Sequence, residues 1–214
     1  MMMSERVKDI IEWIVCILIA FVLALLIKHY FITPTIVQQV SMYPTLEHND
    51  RLLLNRWVIT TKGELNRGDI ITFEAPSKRY FDDSEVNLEM PVAVYDKELK
   101  SIFSKFLYYV LEVSKDSYIK RIIGVAGDHI YIDEECNVYV NNEKIDEPYI
   151  RNGCQTLRTG QFYNLIVPEG YVFVMGDNRD HSDDSRRFGC VPINKVEGRV
   201  VCRFWPLDSI GGVK

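Results

Sequence analysis

Apolar and polar positions divide the chain into two regimes. From Ile10 to Ile27 the run IIEWIVCILIAFVLALLI carries a single charge, Glu12. As a helix, Ile10 to Tyr30 would be roughly 30 Å long at ~1.5 Å per residue, the thickness of a bilayer's hydrocarbon core. Trp13 and Tyr30 would then sit at the two interfaces, where amphipathic rings are favoured. The run is followed by KHYFITPT, which lacks the small-x-small site of a cleaved leader, so it reads as a retained anchor. Arg6 and Lys8 precede the span and Lys28 follows it. By a margin of one basic residue, this places 1–9 as a cytoplasmic tail, 10–30 as the anchor and 31–214 outside the cytoplasm.

Beyond the anchor the period shortens. RLLLNRWVI (51–59), DIITFEA (69–75), YIKRIIGV (118–125), HIYID (129–133) and EGRVVCRFWPL (197–207) are short apolar runs bounded by turn residues. FYNLIV-PEG-YVFVMGDN (162–178) reads as strand, turn, strand. NVYV-NN-EKI (137–145) predicts a hairpin, because Asn141 and Asn142 tolerate positive φ. Many short strands with turn signals predict a mainly β domain with little helix. The segment 77–116 breaks this rhythm, being far longer than an ordinary loop. Its first half is polar. Its second half carries Leu99, Ile102, Phe103, Phe106, Leu107, Val110 and Leu111 on one stripe, which predicts an amphipathic helix over about 97–113. The stripe is expected to pack on the β-core. The rival placement is a lipid surface, with Lys97, Lys100 and Lys105 toward the headgroups.

Composition changes this picture little. The net charge of −5 argues against a nucleic-acid binder. The five cysteines, at 16, 136, 154, 190 and 202, form no C-x-x-C pair that would suggest zinc or a redox centre. Cys190 and Cys202 read as small core residues. Cys136 and Cys154 flank the hairpin and would be available to pair in an oxidising compartment, but the expectation leans to free thiols.

The chemistry starts at VSMYPTLEHND (40–50), where Ser41 stands between apolar residues. A serine becomes a nucleophile only if a base takes its proton. Among the histidines, only His181, in DNRDHSDDSRR, has acidic company, and that cluster reads most simply as a solvated loop with internal ion pairs. Lysine is the other base, provided burial keeps it neutral. Lys120 lies in an otherwise apolar strand beside Arg121. Adjacent strand residues face opposite ways, so one of the two points inward, and only lysine can give up its proton. On the residues alone, a buried base and an amphipathic edge strand stand level.

SMYPTL (41–46), RGDIITF (67–73), YIKRIIGVAGD (118–128) and GDNRDHSDDSRRFGCVP (176–192) resemble, in order and character, the four signature boxes of type I signal peptidases. The resemblance implies a signal-peptidase-type antiparallel β catalytic domain with an N-terminal transmembrane helix and the inserted amphipathic helix. It implies Ser41 as nucleophile, Lys120 as general base and Ser182 as the hydroxyl that orients the lysine. Asp177, Asp184, Arg121 and Arg186 match a supporting ion-pair network, with Asp184 and Arg186 as the expected direct pair. The amide of Ser41 would supply one oxyanion donor. Where the family commonly has a small or hydroxyl residue two positions before the nucleophile, this chain has Gln39, whose amide would have to substitute.

The same resemblance implies cleavage of exported preproteins after small side chains. Val37, Met42, Leu46, Tyr118 and Ile119 are the matching candidates to line the pockets, and an extended substrate would add as a strand beside 118–120 or 37–40. The implied partners are signal peptides, the lipid bilayer and the secretion translocon. No nucleic acid, metal or organic cofactor is implied. Two alternatives stay open: a self-cleaving Ser–Lys protease, disfavoured by the anchor, and a catalytically impaired membrane-tethered binding protein, kept alive by Gln39 and the insertion.

Overall fold

A computed structural model describes residues 5–78, 80, 87–99, 101–112, 115–151 and 153–213. The expected tail residues 1–4, much of the polar half of the insertion and Lys100 lie outside the described residues. Helix α1 (Glu5–Tyr30) contains a stretch, Val7–Tyr30, long and apolar enough to cross a membrane, and none of its apolar window is buried against the rest of the chain. Among the described residues, no protein packing accounts for the apolar composition of that window.

The chain turns directly from α1 into a β domain. Strands β1 (Ile32–Ile36), β2 (Arg51–Asn55), β3 (Ile70–Glu74), β4 (Ser117–Val125), β9 (Tyr171–Met175), β10 (Val191–Pro192) and β11 (Val196–Trp205) form one antiparallel sheet. Its order is β1-β2-β11-β3-β4-β9-β10, with β12 (Gly211–Gly212) paired on β11. A smaller sheet, β7-β6-β5-β8, comprises β5 (His129–Ile132), β6 (Val138–Val140), β7 (Glu143–Lys144) and β8 (Asn164–Ile166). The predicted hairpin is β6–β7, with Asn141 and Asn142 at φ 54° and 67°.

Apolar alternation packs these sheets into three clusters. Ile71, Phe73, Ile122, Val174 and Phe188 form one, Ile123, Ile130, Phe162 and Phe173 a second, and Val37, Met42, Leu46, Leu52 and Leu54 a third. β4 is buried on both faces, which explains its near-continuous apolar run. A Cβ on Gly124 would come within 2.5 Å of Ile130, so glycine lets the second sheet close on β4.

Two sequence expectations are corrected. The run 51–59 is strand only to Asn55, and Trp57–Thr60 forms a short helix, α2. The chain bends there because the Arg56 amide donates to the Phe31 carbonyl, tying the corner to the end of α1. The insertion's helix, α3, covers Ile102–Tyr109 rather than 97–113. Ser101 caps it, its hydroxyl accepting from the Phe103 amide while the Ser104 hydroxyl closes the capping box. Its apolar stripe is covered only in part, Leu99, Leu107, Val110 and Leu111 being half-buried. Tyr108 is the buried residue of α3, and Ile102, Phe103 and Phe106 are exposed.

Candidate active site

Ser41 lies in the turn that follows β1. The Val37 amide donates to the Asp50 carbonyl and the Asn49 amide to the Val37 carbonyl, closing the loop at its base. Its far side is pinned by Asn178, whose backbone amide donates to the Ser41 carbonyl at 3.0 Å and whose side-chain amide donates to the Val40 carbonyl at 3.0 Å. Among the described residues, the Ser41 amide itself finds no acceptor.

Lys120 comes from β4, opposite Ile71 of β3. Its Nζ donates to Ser41 Oγ at 2.7 Å and to the Ile119 carbonyl at 3.0 Å, and it lies 5.0 Å from the centre of the Tyr118 ring. The residue is 1% exposed. Burial penalises the ammonium and outweighs the attraction of Asp184, Asp183 and Asp177, so the amine is pulled down to about 8. The sequence left one of Lys120 and Arg121 to face inward. Both do, on opposite faces of a strand covered on each side.

Arg121 makes a bidentate pair with Asp177 (2.9 and 2.7 Å), donates to the Gly68 carbonyl and lies over the Tyr149 ring at 4.0 Å. Asp184 pairs with Arg186 through two 2.8 Å bonds, as expected, and also accepts from the Gly176 amide. Burial alone would raise the Asp184 carboxyl, but the Arg186 guanidinium holds it below the usual range. These four charged side chains are buried and satisfied, and they fix the segment 176–186 against β4 and the Ser41 turn.

Ser182 departs from expectation. Its hydroxyl is buried and, among the described residues, makes no hydrogen bond to Lys120 or to any other group. It lies near enough to help lower the Asp184 carboxyl, yet outside hydrogen-bond geometry. Gly176 explains the crowding, because a Cβ there would stand 2.3 Å from Ser182 Oγ and 2.4 Å from the Ser41 carbonyl oxygen.

Ser41 opens on a cleft of about 680 Å³ between the β1 extension and the start of β4. Val37, Met42, Tyr118, Ile119 and Gln39 line it. Leu46 does not. It is fully buried in the cluster beneath β1 and β2 and supports the cleft from behind. The Gln39 side chain is exposed at the rim rather than folded inward. Residues 117–120 pair with β3 on one side only, since β9 joins β4 from Arg121 onward.

Residues 10–205 match the family model for signal peptidase, peptidase S26. The chain is 30% identical to signal peptidase IB of Staphylococcus aureus (strain COL) over 216 residues, covering 94% of this chain and 93% of that protein. It is likewise 30% identical to signal peptidase I T of Bacillus subtilis (strain 168), over 99% of this chain and 93% of that protein. This chain belongs to the signal peptidase family, peptidase S26. It is thereby placed among hydrolases of the serine endopeptidase class. A crystal structure of a signal peptidase I from Enterococcus faecalis V583 aligns with 64% of this chain and 96% of its own, at 25% identity and a TM-score of 0.40.

Sequence reasoning missed several positioning groups. Asn178 was passed over inside its motif, although an amide beside a buried turn is the residue type that can tie two backbone carbonyls. Arg179 is fully buried, bound to Glu147 and donating to Thr156 at 2.6 Å. Nothing local in RDH marks that arginine as different from its neighbours. Among the described residues all five cysteines are free, Cys136 and Cys154 included.

Proposed function

We propose that this chain removes signal peptides from exported preproteins with a Ser41–Lys120 dyad, held at the membrane by α1. The observation that carries the reading is the buried 2.7 Å contact between the Ser41 hydroxyl and an amine that burial drives toward neutrality. In the neutral state the hydrogen bond reverses, and the hydroxyl donates to the lone pair of Nζ. Oγ attacks the scissile carbonyl carbon while Nζ takes its proton. The oxyanion that forms accepts from the Ser41 amide, with the Gln39 side chain at the rim as second donor once it turns inward. The ammonium of Lys120 then gives its proton to the leaving amine, and the C–N bond breaks to leave an acyl ester on Ser41. Water adds to the ester, Lys120 accepting its proton, and the carboxylic acid product and the free hydroxyl are restored.

The supporting residues act through position. Asp177 with Arg121 and Asp184 with Arg186 neutralise each other, and Ser182 packs the segment behind Ser41. The substrate enters as an extended strand along the open edge of 117–120, its backbone amides giving affinity. Val37, Met42, Tyr118 and Ile119 line the cleft beside Ser41 and on this reading select small side chains before the scissile bond. Anchoring by α1, with the N-terminus in the cytoplasm and the β domain outside, holds the cleft near the bilayer, because Tyr30 and Ser41 are at most ~35 Å apart along the chain.

Incubation of the full chain with a preprotein tests this. Cleavage after a small-x-small site, lost in both Ser41→Ala and Lys120→Ala, is the expected result. Cleavage that survives Lys120→Ala overturns the dyad.

A further inference from the structure

The exposed face of α3 is built from the wrong residues for water. Ile102, Phe103, Phe106 and Tyr109 are 89, 68, 44 and 44% exposed. At 3.6 residues per turn, 102, 106 and 109 form one stripe with 103 on its flank. The opposite side of the helix is already occupied. Tyr108 is buried and donates to Glu74 at 3.1 Å, and the Lys97 and Lys115 ammonium groups lie 4.3 and 5.9 Å from the centre of its ring. These contacts fix the rotation of α3 and turn the apolar stripe outward.

A second contact fixes where that stripe sits. Glu112, just beyond the helix, pairs with Lys28 at 3.1 Å and with Arg56 at 2.5 Å. Burial would raise the Glu112 carboxyl, but hydrogen bonds from Arg56 and Lys28 outweigh it and keep the group ionised. Lys28 is in the last turn of α1, and Arg56 precedes Trp57, which stacks on Phe31 at 4.9 Å. The C-terminal end of α3 is thus bolted to the end of the membrane-length helix. Ile102 lies only about 12 Å from Val110 along the axis of α3.

We propose that α3 seats its apolar stripe in the headgroup–acyl boundary of the bilayer that α1 spans, as a second membrane contact beside the anchor. The proposal rests on the reading of α1 as a transmembrane anchor. Lipid fits better than protein for two reasons. The stripe offers a few hundred Å² at most, well below the roughly 800 Å² per partner of a stable protein interface. It also belongs to a helix whose C-terminal end is tied to the end of α1 through Glu112, and Lys105 is exposed on its flank, the position from which a lysine reaches anionic headgroups. The wall that α3 supports, through Tyr108 and Glu112, is also a wall of the cleft. Seating α3 therefore fixes the height of the cleft above the membrane.

The full chain is reconstituted in phosphatidylcholine–phosphatidylglycerol vesicles carrying acyl-brominated lipids, which quench indole fluorescence by depth. One variant replaces Trp13, Trp57 and Trp205 with Phe and adds Phe103→Trp. A second keeps Trp13 as its sole indole. Both are expected to be quenched, the first chiefly by lipids brominated near the headgroup, and Glu112→Gln is expected to weaken quenching at 103 without affecting Trp13. Quenching of Trp13 but not of the indole at 103 overturns the proposal and leaves the anchor standing. Quenching of neither overturns both. Burial at 103 that tracks protein density instead of lipid bromination assigns the face to a second copy of the chain and overturns the proposal. A structural role alone is separated by Ile102→Asp with Phe106→Asp: KM for a vesicle-embedded preprotein rises about threefold or more, while cleavage of a short soluble peptide is unchanged.

Discussion

The pH dependence of peptide cleavage tests the assignment of Lys120, and one substitution makes the test specific. An amine titrating at about 8 instead of 10.5 changes the supply of base. At pH 7 its neutral fraction is about 10% instead of about 0.03%, roughly a 300-fold gain. With Lys120 as base, kcat/KM on a soluble peptide climbs about tenfold per pH unit below 7 and levels off above roughly pH 8.5. After Asp184, Asp183 is the acid that most favours the charged amine, and its ion pair at 3.5 Å is with Arg187, outside the buried Asp184–Arg186 pair. In Asp183→Asn the ammonium loses an attraction, so the amine releases its proton more readily and the rising limb moves toward acid. A partly solvated carboxylate shifts such a group by about 0.3–1 pH unit, so the neutral fraction and the rate at pH 7 increase roughly two- to fivefold while the alkaline plateau is unchanged. Initial rates on a fluorogenic peptide from pH 6 to 10 measure both curves. A flat profile, a limb above pH 10, or a limb that Asp183→Asn leaves in place refutes the assignment.

Lys120→Met abolishes cleavage yet stabilises the fold at pH 7 by roughly 1–3 kcal/mol, read by thermal unfolding. The gap closes between pH 8 and 10.5, because there the unfolded chain still holds a proton that folded Lys120 has released, so wild-type stability rises with pH. Gly176→Ala pushes a methyl against the Ser41 carbonyl and Ser182. It costs about 1–3 kcal/mol of stability and lowers kcat more than it raises KM. Arg121→Ala strands the buried Asp177 carboxylate and costs roughly 3–5 kcal/mol in denaturant titration. The Asp184 and Asp128 carboxyls are held low by Arg186 and Arg67 against the opposing effect of burial, so the stability they confer is present above the ordinary carboxylate range and is lost as pH falls through their depressed values, which acid unfolding curves of Asp128→Asn locate for Asp128.

What the sequence could announce depended on whether local pattern or distant contact decides. The β6–β7 hairpin was readable because two asparagines at positive φ are a local requirement. RLLLNRWVI was only half readable. An apolar run has no inherent end, and the bend at Arg56 comes from a carbonyl of Phe31, twenty-five positions upstream. The stripe from Leu99 to Leu111 predicts a helix, but not that Tyr108 is its buried residue, since its partner Glu74 lies on β3, far away in sequence. Leu46 and Met42 both neighbour Ser41 in sequence. Only the packing of β1 on β2 decides that one lines the cleft and the other lies wholly beneath it.

The two buried cations of β4 show how a fold can depress one amine while it keeps its neighbour charged. Lys120 and Arg121 are neighbours, each almost wholly removed from water, and two buried acids of the 176–186 segment, Asp177 and Asp184, are within the same region. A buried lysine with a carboxylate in contact stays charged, and one without it gives up its proton more readily. The fold distributes the acids unequally. Asp177 is committed to Arg121 by two bonds and Asp184 to Arg186 by two more, and among the described residues no carboxylate is in ion-pair contact with Lys120. The neighbours left to Nζ are a hydroxyl, a carbonyl and an aromatic face. The ion pairs around Ser41 and the proposed base Lys120 thus act by withholding as much as by supporting: each arginine occupies a carboxylate that would otherwise favour the charged lysine.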